Sequence, residues 1–469
     1  MYDILIKNGT VVTHEASFDW DVAIRDGKTA AVGVRGSLEG GSGGSCGGAA
    51  KEVVDASGKL VMPGLIDPHV HIHHPFKDGF SADDFYSATV AAACGGDTTV
   101  LDFAIQWDQS FDLSATAQNR NSQFEGDAVI DYSFHACPTV SSMETVEQVP
   151  RLIEAGIPSF KLYMTYSRQG RMCDDGVLYE VLKQTAQRGA VVGVHAENDA
   201  MCMFNSDQFV KKGWDVPRYF PLCKGNLVEA EAVNRVIYMN REAGGSLYLF
   251  HLTARQSLAL VKEAKGRGEN VTAETCTHYL LLNSDRYDRE DGVNFICSPP
   301  LRSEEDREAL WKGIREGFIS VVSSDHCGFT AEMKRRGGGR FPATPNGLPG
   351  VELRLPAVYT EGVKKGRISI NKLVEILSVN PAKVFGMYPQ KGAIACGSDA
   401  DITIVDPAKK KVVSAAGLHS PADWSPYDGM ELCGFADTVI SKGKFVVREG
   451  SFCGCRGAGR FVKRMCSER

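Results

Sequence analysis

The chain has 469 residues, 43% of them hydrophobic and 23% charged, which suits a globular protein with a sizeable core and excludes disordered and fibrous classes. With 52 basic against 58 acidic side chains, the net charge of −6 and the absence of any long like-charge block argue against a nucleic-acid partner or a membrane-surface footprint. Fourteen cysteines are too dilute for a disulfide scaffold and include no CxxC pair, so reduced thiols are expected. The start, Met1-Tyr2-Asp3-Ile4-Leu5-Ile6-Lys7, lacks a basic n-region and a signal-length apolar run, and no run approaches a membrane span, which reads as a cytoplasmic protein.

Residues 1–56 carry short strand signals at Ile4–Ile6, Gly9–Val12 and Val22–Ile24, followed by a Gly/Ser-rich connection over 35–50. The same texture returns after residue 386, at Asp401–Val405 and Phe445–Val447, so 1–56 and 386–469 are expected to form one small β-sandwich. Between them, over 57–385, short β-branched runs alternate with helical stretches. The runs are Leu60–Ile66, Thr98–Phe103, Val129–His135, Pro158–Tyr163, Val191–His195, Leu247–His251, Val271–Thr275 and Ile319–Ser323. Helices are predicted at Asp84–Cys94, Val177–Arg188, Leu227–Glu242, Arg255–Gly266 and Glu304–Glu316. This is the pattern of an α/β fold, a (β/α)8 TIM barrel, with chemistry at the C-terminal ends of its strands.

Those strand ends carry an unusual set of residues: His69 and His71, His135, Lys161, His195, His251 and Asp325. In extended chain His69 and His71 point to one side, so both imidazoles can reach one ion. Taken together, the imidazoles and the carboxylate suit zinc-like cations, although HxH alone is equally a surface pair. Lys161 stands within an apolar strand. Two readings are open there: a lysine with an acidic partner, or an amine converted by carbon dioxide to a carbamate that bridges two ions.

The strings Gly64-Leu65-Ile66-Asp67-Pro68-His69-Val70-His71, Ser159 to Tyr166, Val194 to Asn198, Glu274-Thr275-Cys276, Cys297 to Arg302, Ser324 to Cys327 and Asn346 to Gly350 closely resemble the hydantoinase/dihydropyrimidinase family of cyclic amidohydrolases, in its bacterial D-hydantoinase and phenylhydantoinase branch. The resemblance implies the amidohydrolase type of barrel and two divalent metal ions, usually zinc. His69, His71 and Asp325 would hold the first and His195 and His251 the second, with N-carboxylated Lys161 bridging. It further implies Asp325 as proton carrier, Tyr166 as oxyanion donor, and Tyr166, Ser298 and Asn346 as substrate contacts, the last two through main-chain groups. His135 matches no ligand position and is assigned to packing or to support of the ligands.

The implied reaction opens the cyclic amide of a 5-substituted hydantoin or a dihydropyrimidine to an N-carbamoyl amino acid. Allantoinase shares much of the ligand set, and a non-catalytic scaffold of the same fold is the reading from a different class. Dihydroorotase is disfavoured because Ile72-His73-His74-Pro75-Phe76 follows HxH in place of an arginine. The substituent outside the ring is expected to meet His73, His74, Phe76 and Phe103, together with Ile105, Trp107 and residues 164–172, a lining that favours an aryl or alkyl group; solvent-facing His73 and His74 are the other reading. The partner is then a small molecule. The resemblance also implies a homotetramer, with the basic stretch from Arg456 to Arg469, carrying Arg460, Lys463 and Arg464, placed to reach a neighbouring subunit.

Overall fold

The computed structural model describes residues 1–39, 50–77, 79–108 and 112–466. At its centre eight parallel strands, Leu65–Asp67, Asp97–Ile105, Asp131–Cys137, Ser159–Tyr163, Val191–His195, Ser246–Leu249, Val271–Cys276 and Ile319–Ser323, lie side by side in chain order. The register sets Phe103 beside His135 and Tyr163 beside His195. Beyond their C-terminal ends the first and last strands meet, where the His71 amide donates to the His326 carbonyl at 2.7 Å and Val70 bridges His326. Hydrogen bonding thus closes the barrel at its mouth.

The helices around it begin where side chains satisfy their free amides. Asp84 caps Phe85–Cys94 in a capping box, Asp174 caps Asp175–Ala186, and Ser303 caps Glu304–Arg315. Acidic Glu304, Glu305 and Asp306 open that last helix and Lys312 and Arg315 close it, matching its dipole. The helix predicted at Val177–Arg188 starts two residues earlier because Asp174 caps it there. No helix among the described residues is long and apolar enough to cross a membrane.

The run Leu60–Ile66, read as one barrel strand, is two. Leu60–Pro63 pairs with Ile402–Val412 and with Thr10–Val12, in a seven-stranded sheet made from both chain ends, and only Leu65–Asp67 enters the barrel. Gly64 makes the crossing possible, since a Cβ there would stand 2.2 Å from the Thr98 hydroxyl. A four-stranded sheet of Lys28–Val34, Trp20–Arg25, Tyr2–Lys7 and Ala50–Asp55 accompanies the seven-stranded one. One buried cluster, including Ile4, Ile6, Val22, Ile24, Val61, Ile402, Ile404 and Ile440, draws residues from both sheets. Most of the Gly/Ser-rich connection, residues 40–49, lies outside the described residues.

Within the C-terminal stretch, one of the three basic residues expected to reach outward packs on its own barrel. The Val462 amide donates to the Tyr132 carbonyl at 2.8 Å, and the Arg464 guanidinium donates to the Ser133 hydroxyl at 2.8 Å and to the Phe134 carbonyl. Arg464 is buried against its own barrel, while Arg460 and Lys463 of the same stretch are exposed.

Candidate active site

Strand ends bring the predicted ligands to one place. His69 Nε2 and His71 Nε2 lie 2.9 and 3.3 Å from the same oxygen, Asp325 Oδ1. The His195 and His251 rings are 4.3 Å apart, and His251 is 5.4 Å from His69. Lys161 is buried beside them, its ammonium 3.7 Å above the Phe250 ring and without an ion pair among the described residues. His251 does not end its strand as expected: the strand stops at Leu249, and His251 sits in the following turn at φ 37°. Asp325 (φ 46°) and Tyr166 (φ 72°) share this left-handed backbone, a strain that non-glycine residues tolerate only where the surroundings impose it.

Carboxylates behind the ring fix which imidazole nitrogen faces inward. Glu274 takes His69 Nδ1 at 2.7 Å, as well as the Tyr248 hydroxyl at 2.7 Å and the His251 amide at 3.1 Å. Glu197 takes His195 Nε2 at 2.7 Å, the Lys224 ammonium at 2.8 Å and the Ser298 hydroxyl at 2.9 Å. His69 therefore turns Nε2, and His195 Nδ1, toward the centre of the site, where each would offer its lone pair to a bound ion. Burial lowers both His71 and His195 to about 4, keeping them neutral. Burial alone would raise the Asp325 carboxyl, but His69 and His71 outweigh it and hold the group well below the usual range. Burial draws Lys161 down to about 8 against the pull of Asp325 and Glu274.

A divalent ion fits this arrangement. His69 Nε2 and Asp325 Oδ1 stand 2.9 Å apart; burial opposes charge on His69, but Asp325 and Glu274 outweigh it and raise the imidazole to about 9, so a proton occupies the place between two ligand atoms that a divalent ion would take. That approach is what two ligands of one cation adopt. Donor atoms of His69, His251 and Asp325 all come within 4.8 Å of one another.

Above the ligands opens a cavity of about 920 Å³, floored by Lys161, His195, His251 and Asp325. Tyr166, Ser298, Asn346, His74 and Phe76 line it, as does Trp107. The Tyr166 ring lies 5.2 Å from His195, and burial raises its phenol to about 12. The Ser298 hydroxyl is engaged by Glu197 and Lys224, which leaves its main chain for a ligand. Asn346 keeps a buried side-chain oxygen without a partner among the described residues.

Several expected wall residues lie elsewhere: Ile105 and Met164 are buried in the core, and Phe103 and His73 face away from the cavity. Phe103 points under the site, its ring 4.5 Å from His71 and 5.1 Å from both His69 and His135, because its place on the second strand faces the barrel interior. His73 turns away at φ 46° and stacks on Phe80 at 4.1 Å, outside the cavity lining. Its neighbour His74 faces inward, edge-on to His71 and Trp107. His135 has both ring nitrogens engaged, by the Ser159 hydroxyl and the Pro68 carbonyl, and has none for an ion.

Glu197, Glu274, Lys224 and His278 were not assigned roles from the sequence. The first carried a readable signal: Glu197 follows His195 by two residues, the spacing that puts two side chains on one side of an extended chain. His278 Nε2 is buried without a hydrogen bond and comes together with Cys276 and Asp325. Lys224 arrives from a helix end remote in sequence, and no local pattern marks it.

The profile of the amidohydrolase family matches residues 60–446. The D-hydantoinase of Ralstonia pickettii is 42% identical over 468 residues, which cover 98% of this chain and 99% of that one. Among solved structures, the dihydropyrimidinase of Brevibacillus agri superposes with a TM-score of 0.94 at 36% identity, covering 99% of each chain. A D-hydantoinase from a Bacillus species does so with a TM-score of 0.93 at 37% identity, covering 99% of this chain and 100% of its own.

Proposed function

Because this chain belongs to the amidohydrolase family, we propose that it is a binuclear-metal hydrolase that opens the cyclic amide of 5-substituted hydantoins or dihydropyrimidines to N-carbamoyl amino acids. The observation that carries the reading is the close approach of His69 Nε2 to Asp325 Oδ1 on the floor of a large cavity. His69, His71 and Asp325 would hold one ion, His195 and His251 the other, and N-carboxylated Lys161 would bridge them; mixed imidazole and carboxylate donors favour zinc. Carboxylation explains how a buried amine without a counter-ion is accommodated: it becomes an anion facing cations.

When bound, two divalent ions lower the pKa of water and polarise the amide carbonyl. Asp325, kept unprotonated by His69 and His71, accepts the proton of the attacking water and returns it to the leaving ring nitrogen. Tyr166, kept protonated by burial, donates its hydroxyl to the oxygen on which charge develops. Glu197, clamped by Lys224 and Ser298, and Glu274, clamped by Tyr248, keep His195 and His69 from turning. Main-chain groups of Ser298 and Asn346 orient the ring.

The relatives reported above are hydantoinases and a dihydropyrimidinase, and all six ligand positions are filled, which favours this reading over an allantoinase or a non-catalytic scaffold. We place the enzyme in the cytoplasm, in keeping with its free cysteines, and, on the family resemblance, as a homotetramer. Purified, metal-loaded protein assayed with 5-substituted hydantoins, dihydrouracil and allantoin tests the proposal. Ring opening of the first two classes is expected, and activity on allantoin alone, or on none of the three, would overturn it.

A further inference from the structure

Above the ligand floor, the cavity wall carries Arg171, a partly buried cation with no ion pair among the described residues. Arg171 closes the turn after the fourth barrel strand, where its amide donates to the Tyr166 carbonyl at 3.2 Å and the next residue, Met172, bridges Tyr163. Its guanidinium carbon lies 4.2 Å over the Trp107 ring, and Nε is buried with no hydrogen-bond partner among the described residues. Stacking on indole leaves the edge of the guanidinium fork available, because cation–π attraction uses its face.

The other cations of the wall are accounted for. Arg168 is held by Asp207 through two bonds of 2.8 and 2.7 Å, Lys224 by Glu197, and Arg336 by Glu332 at 3.2 Å, while Lys77 is exposed at the rim. Asp325 is the sole carboxylate among the described lining residues, and it is committed to His69 and His71. Arg171 makes no ion pair among the described residues. A partly desolvated guanidinium in that position is stabilised by a planar anion that takes two parallel hydrogen bonds.

We propose that Arg171 selects substrates whose substituent outside the ring ends in a carboxylate, held beside Trp107 by the guanidinium fork. This rests on the ring-opening reading above and narrows its substrate class. Trp107 and Phe76 then pack against the carbon stem, so the aromatic wall serves a short acidic chain in place of a wholly apolar group.

Steady-state kinetics with the metal-loaded enzyme test it, using 5-(carboxymethyl)hydantoin and its neutral 5-(carbamoylmethyl) counterpart, nearly equal in shape. The wild type is expected to favour the acid by roughly 10- to 100-fold in kcat/KM, mainly through KM, the range of a hydrogen bond to a charged group. Arg171→Gln should bring that ratio close to one, and Arg171→Lys should keep part of it. An even ratio in the wild type, or a ratio that survives Arg171→Gln, would overturn the assignment and leave the guanidinium as a cover for Trp107. Opening of the amide without preference for the acid breaks this inference alone, whereas opening of neither breaks the ring-opening reading as well.

Discussion

The barrel carries a gathering of charged side chains at each end, and the two differ in what sits at the centre. At the N-terminal end Asp131, Asp399 and Asp401 bring carboxylate oxygens within 4.8 Å of one another. The Lys391 ammonium fills the space, 2.8, 3.3 and 2.6 Å from the three in turn, and Lys442 adds a second contact to Asp131. Burial opposes the charge on Lys391, but Asp401, Asp131 and Asp399 hold it protonated. At the C-terminal end Asp325 faces the imidazoles of His69 and His71, and the nearby lysine, Lys161, has no ion pair among the described residues. A cluster already neutralised from within is built for stability, in keeping with the usual division of a barrel's two faces, and one in which imidazoles and a carboxylate converge on one space is built for a cation.

Exchanging the two lysines breaks or sharpens that contrast. Lys161→Ala is expected to abolish activity and metal retention while the chain still folds, and added short carboxylic acids should restore a fraction of both. Lys391→Met should do the reverse. It removes the ammonium shared by three buried carboxylates, leaving Asp401 without a cation while Lys442 stays on Asp131 and Lys28 on Asp399, and should lower stability in urea by about 3–5 kcal/mol, with metal content per folded chain unchanged. Full activity in Lys161→Ala, or metal loss in folded Lys391→Met, would erase the distinction. Tyr166→Phe gives the smallest effect: kcat falls by roughly 10²–10³ at full metal content, the cost of one oxyanion donor. Wild-type turnover in that variant would make Tyr166 a packing residue.

The same contrast separates what could be read from the sequence from what could not. The ligands are legible because each lies in or just after a short apolar run, and because alternation along extended chain says which neighbours share a side. The division at Gly64 was hidden because both halves of Leu60–Ile66 are equally apolar, and only the approach of Thr98 shows which sheet each joins. Phe103 and His73 were misplaced on the wall because adjacency to a strand end does not say whether a side chain faces the barrel interior, the cavity or neither. Lys224 and Lys391 escaped notice entirely. Their partners lie 27 or more residues away for Lys224 and at separations of 10 and 260 residues for Lys391, so tertiary folding alone pairs them. Arg464 was misjudged for a related reason: a basic tail reads as solvated until a barrel strand is seen to accept it.

Metal analysis of the active protein, paired with activity before and after treatment with a chelator, tests the central claim most directly. The arrangement of His69, His71, Lys161, His195, His251 and Asp325 predicts about two zinc-like ions per chain, with turnover lost on their removal and regained on their return. Fully active protein that contains no metal would contradict it.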